Sequence, residues 1–294
     1  MRIGYPCINR SIGCTANTTF CLASYSEKNL IEKVSNNLNC LEQILKYNVE
    51  HNLLFFRISS DLVPFASHPI CTFRWQKYFQ SRFSEIGKLV KRHKMRISMH
   101  PDQFVLINSP NPDVVNRSIK ELIYHCEVLD LLELNSTAKV QIHIGGVYGD
   151  KTSSIRRFIS KYQELPSLIK NRLVIENDHI SYSLHDCLLI HKEIGIPVLF
   201  DSFHHECLHN HETMKQAMLL ASKTWHKKDG ILMVDYSSQK PNSAQGNHAE
   251  HINIRHFKNF IHRTKDIKFD LMLEIKDKEK SALKARTIID KILT

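Results

Sequence analysis

Short runs rich in β-branched and apolar residues recur along the chain: Arg2–Tyr5, Leu53–Ile58, Met95–Met99, Val140–Ile144, Leu173–Ile175, Val198–Phe200, Ile231–Val234 and Phe269–Ile275. They are near-continuously apolar rather than alternating, as expected of strands in a parallel sheet buried on both faces. Between the runs the period changes. In Leu30–Val49 the residues Ile31, Val34, Leu38, Leu41, Ile44 and Leu45 fall at spacings of three and four, and Val115, Ile119, Leu122, Ile123, Cys126 and Leu129 do the same in Val114–Leu134. That spacing lays the apolar residues along one face of a helix. Strand and helix alternate throughout, and eight such units can close into an α/β fold of the (β/α)8 barrel type. Pro64, Pro101, Pro110, Pro112 and Pro241, with Gly145, Gly146, Gly149 and Gly246, cluster just after strands, where the chain must reverse. No linker, charge block or repeat divides the sequence, so residues 1–294 are expected to form a single barrel domain.

The residues that close the strands carry the chemistry. ISMHPDQF ends its run on His100, VQIHIGG carries His143, LVIEND ends on Glu176, PVLFDSFHH carries Asp201 and His204, LMVDYSS carries Asp235 and FDLMLEI ends on Glu274. In a (β/α)8 barrel the strand C-termini converge on one face, so these side chains should meet although they are far apart in sequence. Any one of them alone is an ordinary polar or capping residue. Together they mix imidazole with carboxylate and include no thiolate, a donor set suited to Mn²⁺, Zn²⁺ or a similar divalent ion, with carboxylates able to bridge two ions. Four acids so close would repel one another strongly without cations. The segment GNHAEH adds His248 and Glu250 as candidates for a further position with His204.

Composition adds a partner. Lys and Arg number 40 against 30 Asp and Glu, a formal charge of +10, which favours a polyanion such as nucleic acid. The 42% of hydrophobic residues is enough for a sizeable core and excludes a mainly disordered chain. The eight cysteines are scattered without a C-x-x-C pair, so neither a zinc ribbon nor a disulfide scaffold is indicated and a reducing compartment is expected. No 18-residue apolar run occurs, and the start lacks the pattern of a secretory leader. A cytoplasmic, chromosome-associated monomer is the expectation.

The motifs GYPCIN, FFRISSDLVPFASH, SMHPDQFVLINSP, QIHIGG, ENDH, FDSFHH and LEI, in this order over almost the whole chain, resemble the UV damage endonuclease family, whose fold is related to that of endonuclease IV. The resemblance implies a single (β/α)8 (TIM) barrel whose metals sit at the strand C-termini. His100, His143 and Glu176 would hold one ion, and Glu176, Asp201 and Glu274 would share another. His204 and His248, with Glu250, would hold a third. Two or three divalent ions are implied, Mn²⁺ ahead of Zn²⁺ or Mg²⁺, with Glu176, Asp201 and Glu274 as the catalytic carboxylates.

The implied substrate is double-stranded DNA carrying UV lesions, cut immediately 5′ of the lesion to leave a 3′-hydroxyl and a 5′-phosphate. Gln103 and either Tyr5 or Phe104 match positions that probe the opened DNA, and Asn9 joins Tyr5 as a candidate past the first strand. Two departures stand out. Where the family commonly has Lys-x-His-x-Ser on the seventh strand, this chain has Met233, Val234, Asp235, Tyr236 and Ser237, and Phe104 stands where a Tyr often follows the Gln.

Phosphodiester hydrolysis needs an activated water and stabilised entering and leaving oxygens, which neighbouring divalent ions supply together. No nucleophile elbow or P-loop is present to suggest another route. Arg57, Arg74, Lys151, Arg156, Arg157 and Lys240 lie at or beyond strand ends as candidate phosphate contacts. An apurinic-site endonuclease like endonuclease IV, and a metal-dependent sugar isomerase of the same fold, are the alternatives.

Overall fold

A computed structural model describes residues 1–293; Thr294, the last residue of the expected domain, lies outside the described residues. The strands are β1 (Ile3–Pro6), β2 (Phe55–Ile58), β3 (Arg96–Met99), β4 (Lys139–His143), β5 (Leu173–Glu176), β6 (Val198–Asp201), β7 (Leu232–Tyr236) and β8 (Phe269–Leu273). The helices are α1 (Glu27–Glu50), α2 (Trp75–Arg92), α3 (Pro112–Leu131), α4 (Lys151–Glu164), α5 (Ser167–Lys170), α6 (Leu184–Ile194), α7 (Ser202–Cys207), α8 (Met214–Ser222), α9 (Ile254–Thr264) and α10 (Glu279–Leu293).

The strands pair in parallel in chain order and close into a barrel, with β8 beside β1 in the register Ile3 to Leu271 and Gly4 to Met272. Each expected strand is present, within two residues at its ends. Closure needs a glycine at Gly4, where a Cβ would lie 1.5 Å from the Phe55 carbonyl oxygen. Helix α3 ends three residues before the apolar period does, because Glu133 takes a left-handed backbone (φ 54°) that turns the chain toward β4.

Side chains two residues apart on a strand share a face, and inside the barrel this period builds three tiers. The middle tier is apolar on five of the strands, where Phe55, Val174, Leu199, Met233 and Met272 form a buried cluster of their own. Met233, at the position where the family commonly has Lys, is therefore a packing residue. Two positions further along the chain from each come Arg57, Glu176, Asp201, Asp235 and Glu274, and His100, just past β3, and His143, at the end of β4, join them. Below lies a charged floor. Arg96 reaches Asp270 (3.1 Å), which Arg2 also contacts (2.9 Å), and Lys139 reaches Asp229 (2.6 Å).

The long apolar faces of the helices pack on the outside of the barrel to complete the main core. Cys14 and Cys40 form a disulfide, Cα to Cα 6.0 Å, tying the segment after β1 to α1. It is one bridge rather than a scaffold, and a spacing of 26 residues left no local signal for it. Among the described residues no helix is long and apolar enough to cross a membrane.

Candidate metal centre

Three groups of ligand-type side chains come together at the strand C-termini: His100, His143 and Glu176; Glu176, Asp201 and His204; Asp201, Asp235 and Glu274. Within each group the ligand atoms lie within 4.8 Å of one another, and Glu176 and Asp201 link the groups by belonging to two each. Glu176 is the hub. His100 Nε2 is 3.6 Å from its Oε2, and His204 Nδ1 is 3.4 Å from its Oε1.

The chain orients these groups locally. The ring of His100 donates from Nδ1 to the Pro101 carbonyl (2.7 Å), which turns Nε2 toward Glu176. Asp201 closes β6 and at once caps α7, accepting from the His204 amide at 2.7 Å, so a strand-to-helix junction fixes the pair. Asn177 then braces both, because its side chain exchanges hydrogen bonds with the Asp201 backbone (2.9 and 3.0 Å) and its carbonyl accepts from His204 Nδ1 (2.9 Å).

Arg57 and Gln141 were not foreseen as parts of this centre. Arg57 Nη2 is 2.5 Å from Asp235 Oδ2, and its Nη1 donates to Glu274, so the guanidinium is buried under the carboxylates rather than offered to phosphate. Gln141 donates to both Glu176 Oε2 and Asp235 Oδ2, at 2.8 Å each. Residue alternation could have found both, since Arg57 lies two residues past Phe55 and Gln141 two before His143 on the same inner face.

Burial raises Asp201 to about 6 and pushes Asp235 well above its ordinary value, despite Arg57. Burial also opposes ionisation of Glu176 and Glu274. Around Glu176 it is outweighed by His143, His100 and His204, which hold that carboxyl well below the usual range. At Glu274 it is outweighed by Arg57, which holds it at about 2. Burial works against the charged form of His204 too, but Asp201 and Glu176 lift it to about 11. Acids this crowded favour cations among them. His143 Nδ1, Asp201 Oδ2 and Asp235 Oδ1 are buried without a hydrogen-bond partner, which a ligating role would explain. The donor set and its orphaned atoms fit divalent ions.

His248 is adjacent, with Nδ1 donating to the Glu274 carbonyl (2.8 Å) and its ring 6.1 Å from that of His204, but it joins none of the three groups. Glu250 does not reach the cluster. It is exposed and paired with Lys240 (2.8 Å) and Lys276 (3.0 Å), which draw its carboxyl down to about 2. The structure thus does not bring His204, His248 and Glu250 together as one group, and the third group it does form is Asp201, Asp235 and Glu274.

The DNA-facing candidates divide in the same way. Gln103 and Phe104 project from the loop after β3, with Phe104 75% exposed. Tyr5 and Asn9 are buried: Tyr5 donates from its hydroxyl to Asn48 Oδ1 (2.6 Å) and accepts from Asn9 Nδ2 (2.7 Å), so they brace α1 against β1. Tyr5→Phe is expected to cost about 1–2 kcal/mol of stability, as the polar partners lose their bonds, and to leave lesion binding as in the parent. Urea unfolding and DNA titration of the same sample would check both.

Of the remaining basic candidates, Lys151 pairs with Asp186 (2.6 Å), Lys240 with Glu250, and Arg157 donates to the Asn108 carbonyl (2.9 Å), whereas Arg74 and Arg156 are exposed.

Residues 1–292 match the family described as UV-endonuclease UvdE. A UV DNA damage endonuclease of Clostridium perfringens (strain 13 / Type A) is 40% identical over 286 residues, covering 97% of this chain and 69% of that protein. The crystal structure of SacUVDE superposes with a TM-score of 0.95 at 43% identity, over 100% of this chain and 99% of that one. Endonuclease IV from Thermus thermophilus shares the fold alone, with a TM-score of 0.59 at 12% identity over 86% of this chain and 94% of the other. With its barrel, its strand-end His and carboxylate cluster and these matches, the chain belongs to the UV-endonuclease UvdE family.

Proposed function

We propose that this chain is a metal-dependent endodeoxyribonuclease that cuts duplex DNA immediately 5′ of UV photoproducts. Cyclobutane pyrimidine dimers and 6-4 photoproducts are its substrates, and the products are a 3′-hydroxyl and a 5′-phosphate. It acts as a monomeric, single-domain barrel on chromosomal DNA in the cytoplasm. The observation that carries the reading is the run of three ligand groups joined through Glu176 and Asp201, lying beside a loop that exposes Gln103 and Phe104.

His100, His143 and Glu176 would hold one ion, and Asp201, His204, Asp235 and Glu274 the others, two or three in all, with Mn²⁺ preferred over Zn²⁺ or Mg²⁺. Bound there, the ions supply charge for the phosphate and lower the pKa of water. The protein's own part is positional. Asn177, Gln141 and Arg57 keep the carboxylates in place, the apolar tier beneath keeps water from entering through the barrel, and Gln103 and Phe104 fill the gap left by a displaced dinucleotide.

The test is incubation of end-labelled duplexes carrying a pyrimidine dimer, a 6-4 photoproduct or an abasic site with purified protein and Mn²⁺. Incision on the 5′ side of the photoproducts is expected. Cleavage chiefly at the abasic site would select the endonuclease IV-like activity instead, and intact duplexes would reject both.

Replacing Gln103 and Phe104 together by Ala should weaken lesion binding by about 1–3 kcal/mol for each base that no longer stacks. Divalent content should stay unchanged, since neither residue is a ligand. Equal discrimination between damaged and intact DNA by the double variant and the parent would make this loop ordinary surface.

A further inference from the structure

Ile180 is 73% exposed, at the tip of the loop between β5 and α6 and four residues past Glu176. It is not loosely held. Asp178 Oδ1 accepts from the Ile180 amide (2.8 Å), and Asp178 Oδ2 accepts from the Tyr182 amide (3.1 Å), so one carboxylate folds the turn around the tip. The preceding residue is clamped to the metal centre: the His179 ring stacks on that of His204, centroids 5.2 Å apart and planes 29° from parallel. The His179 ring also meets Gly246, where a Cβ would come within 2.3 Å of Cδ2. An apolar side chain is thus held outward at a fixed place relative to a candidate ligand.

The neighbouring loops repeat the arrangement. Strands β3, β4 and β5, whose ends bring His100, His143 and Glu176 together, run into loops that expose Phe104 (75%), Tyr148 (44%) and Ile180 (73%). The Phe104 and Ile180 loops flank the loop from β4. Exposed polar tips are the ordinary outcome for loops. Apolar side chains on rigid loops around a DNA-cutting centre have the shape of wedges that unstack base steps and are buried by doing so.

We propose that Ile180 is a second wedge, inserted between bases of the duplex at a loop separated from the Phe104 loop by the loop from β4. The inference rests on the endonuclease reading. Isoleucine offers no hydrogen bond, so it senses how readily a step unstacks and not which bases form it. That is the property by which a distorted site differs from an intact one. Because His179 ties the wedge to His204, its insertion also sets the register of the scissile phosphate over the ligands.

The experiment compares the parent, Ile180→Ser, Ile180→Leu and a control on the outer helix α8, Leu219→Ser. Each is titrated with a photodimer duplex carrying 2-aminopurine beside the lesion, and with the same duplex undamaged. Ile180→Ser is expected to bind the damaged duplex about tenfold to a hundredfold more weakly, the worth of burying one such side chain. Its 2-aminopurine signal should be lower than the parent's and its divalent content unchanged, while Ile180→Leu and Leu219→Ser should match the parent.

Parent-like affinity and base opening in Ile180→Ser would overturn the wedge, and so would loss of metal in that variant, which would make the loop a brace of the cluster. If the parent itself showed no preference for damaged over intact duplex, the endonuclease reading would fail and the wedge with it. A parental preference that Ile180→Ser retains would remove the wedge alone.

Discussion

Glu176→Gln is expected to lower incision by at least about a thousandfold, the equivalent of several kcal/mol in a barrier that the bound ions lower. The carboxylate belongs to two of the three ligand groups, so its loss weakens two positions at once. Glutamine keeps the volume and can still accept from Gln141, so the barrel should remain folded, but it brings no charge to face His100, His143 and His204. Elemental analysis of the purified variant should show a divalent content well below the parent's, with circular dichroism unchanged. Parental incision with parental metal content would remove Glu176 from the centre and with it the shared-ligand geometry.

The second large effect is one of stability. In metal-stripped protein, Arg57→Met should cost about 3–5 kcal/mol, because the guanidinium is lost from beneath buried Asp235 and half-buried Glu274. Adding Asp235→Asn should restore part of that loss, since Glu274 is then the one carboxylate left without the guanidinium and has no acid beside it at 235. The dependence on pH has a definite sign. Glu274 is held at about 2 against an ordinary 4.5, so its contribution is present above 4.5 and fades as pH falls toward 2. The gap between parent and Arg57→Met should therefore be widest at neutral pH and close in acid, as read by urea unfolding in the presence of chelator. A gap that does not change with pH would mean that the guanidinium acts by packing alone.

The barrel is legible in the sequence because its signal is local. Near-continuous apolar runs alternating with three-and-four spacing survive any tertiary detail, and the strand ends differ by no more than two residues. His100, His143, Glu176, Asp201, His204, Asp235 and Glu274 are legible for a related reason, since a strand terminus in this fold has only one place to go. Tyr5 and Glu250 are not, because sequence distance from a strand end does not say which way a side chain turns. Tyr5 lies in the middle of β1 and points outward into α1, where Asn48 accepts from its hydroxyl. Glu250 lies between two lysines that only the folded chain brings together. Arg57 stands at the expected end of the expected strand but beside a different neighbour, because a basic residue near a proposed DNA site suggests phosphate before it suggests a buried carboxylate.

The three tiers inside the barrel bear on how a substitution within it acts. Phe55, Val174, Leu199, Met233 and Met272 separate the upper ring of ligands from the charged floor of Arg96, Lys139 and Asp270. Closure of the fold depends on the floor, the apolar layer and the outer helices, whereas the identity of the ions depends on the top ring. A substitution among the ligand-type side chains of that ring, as distinct from the Arg57 that braces them, is therefore expected to alter what the barrel holds more than what keeps it shut. Asp235 and Met233 show the division on one strand, one side chain standing among the ligand-type groups and the other in the apolar layer directly below. The tiers thus assign holding and closing to different layers of one barrel.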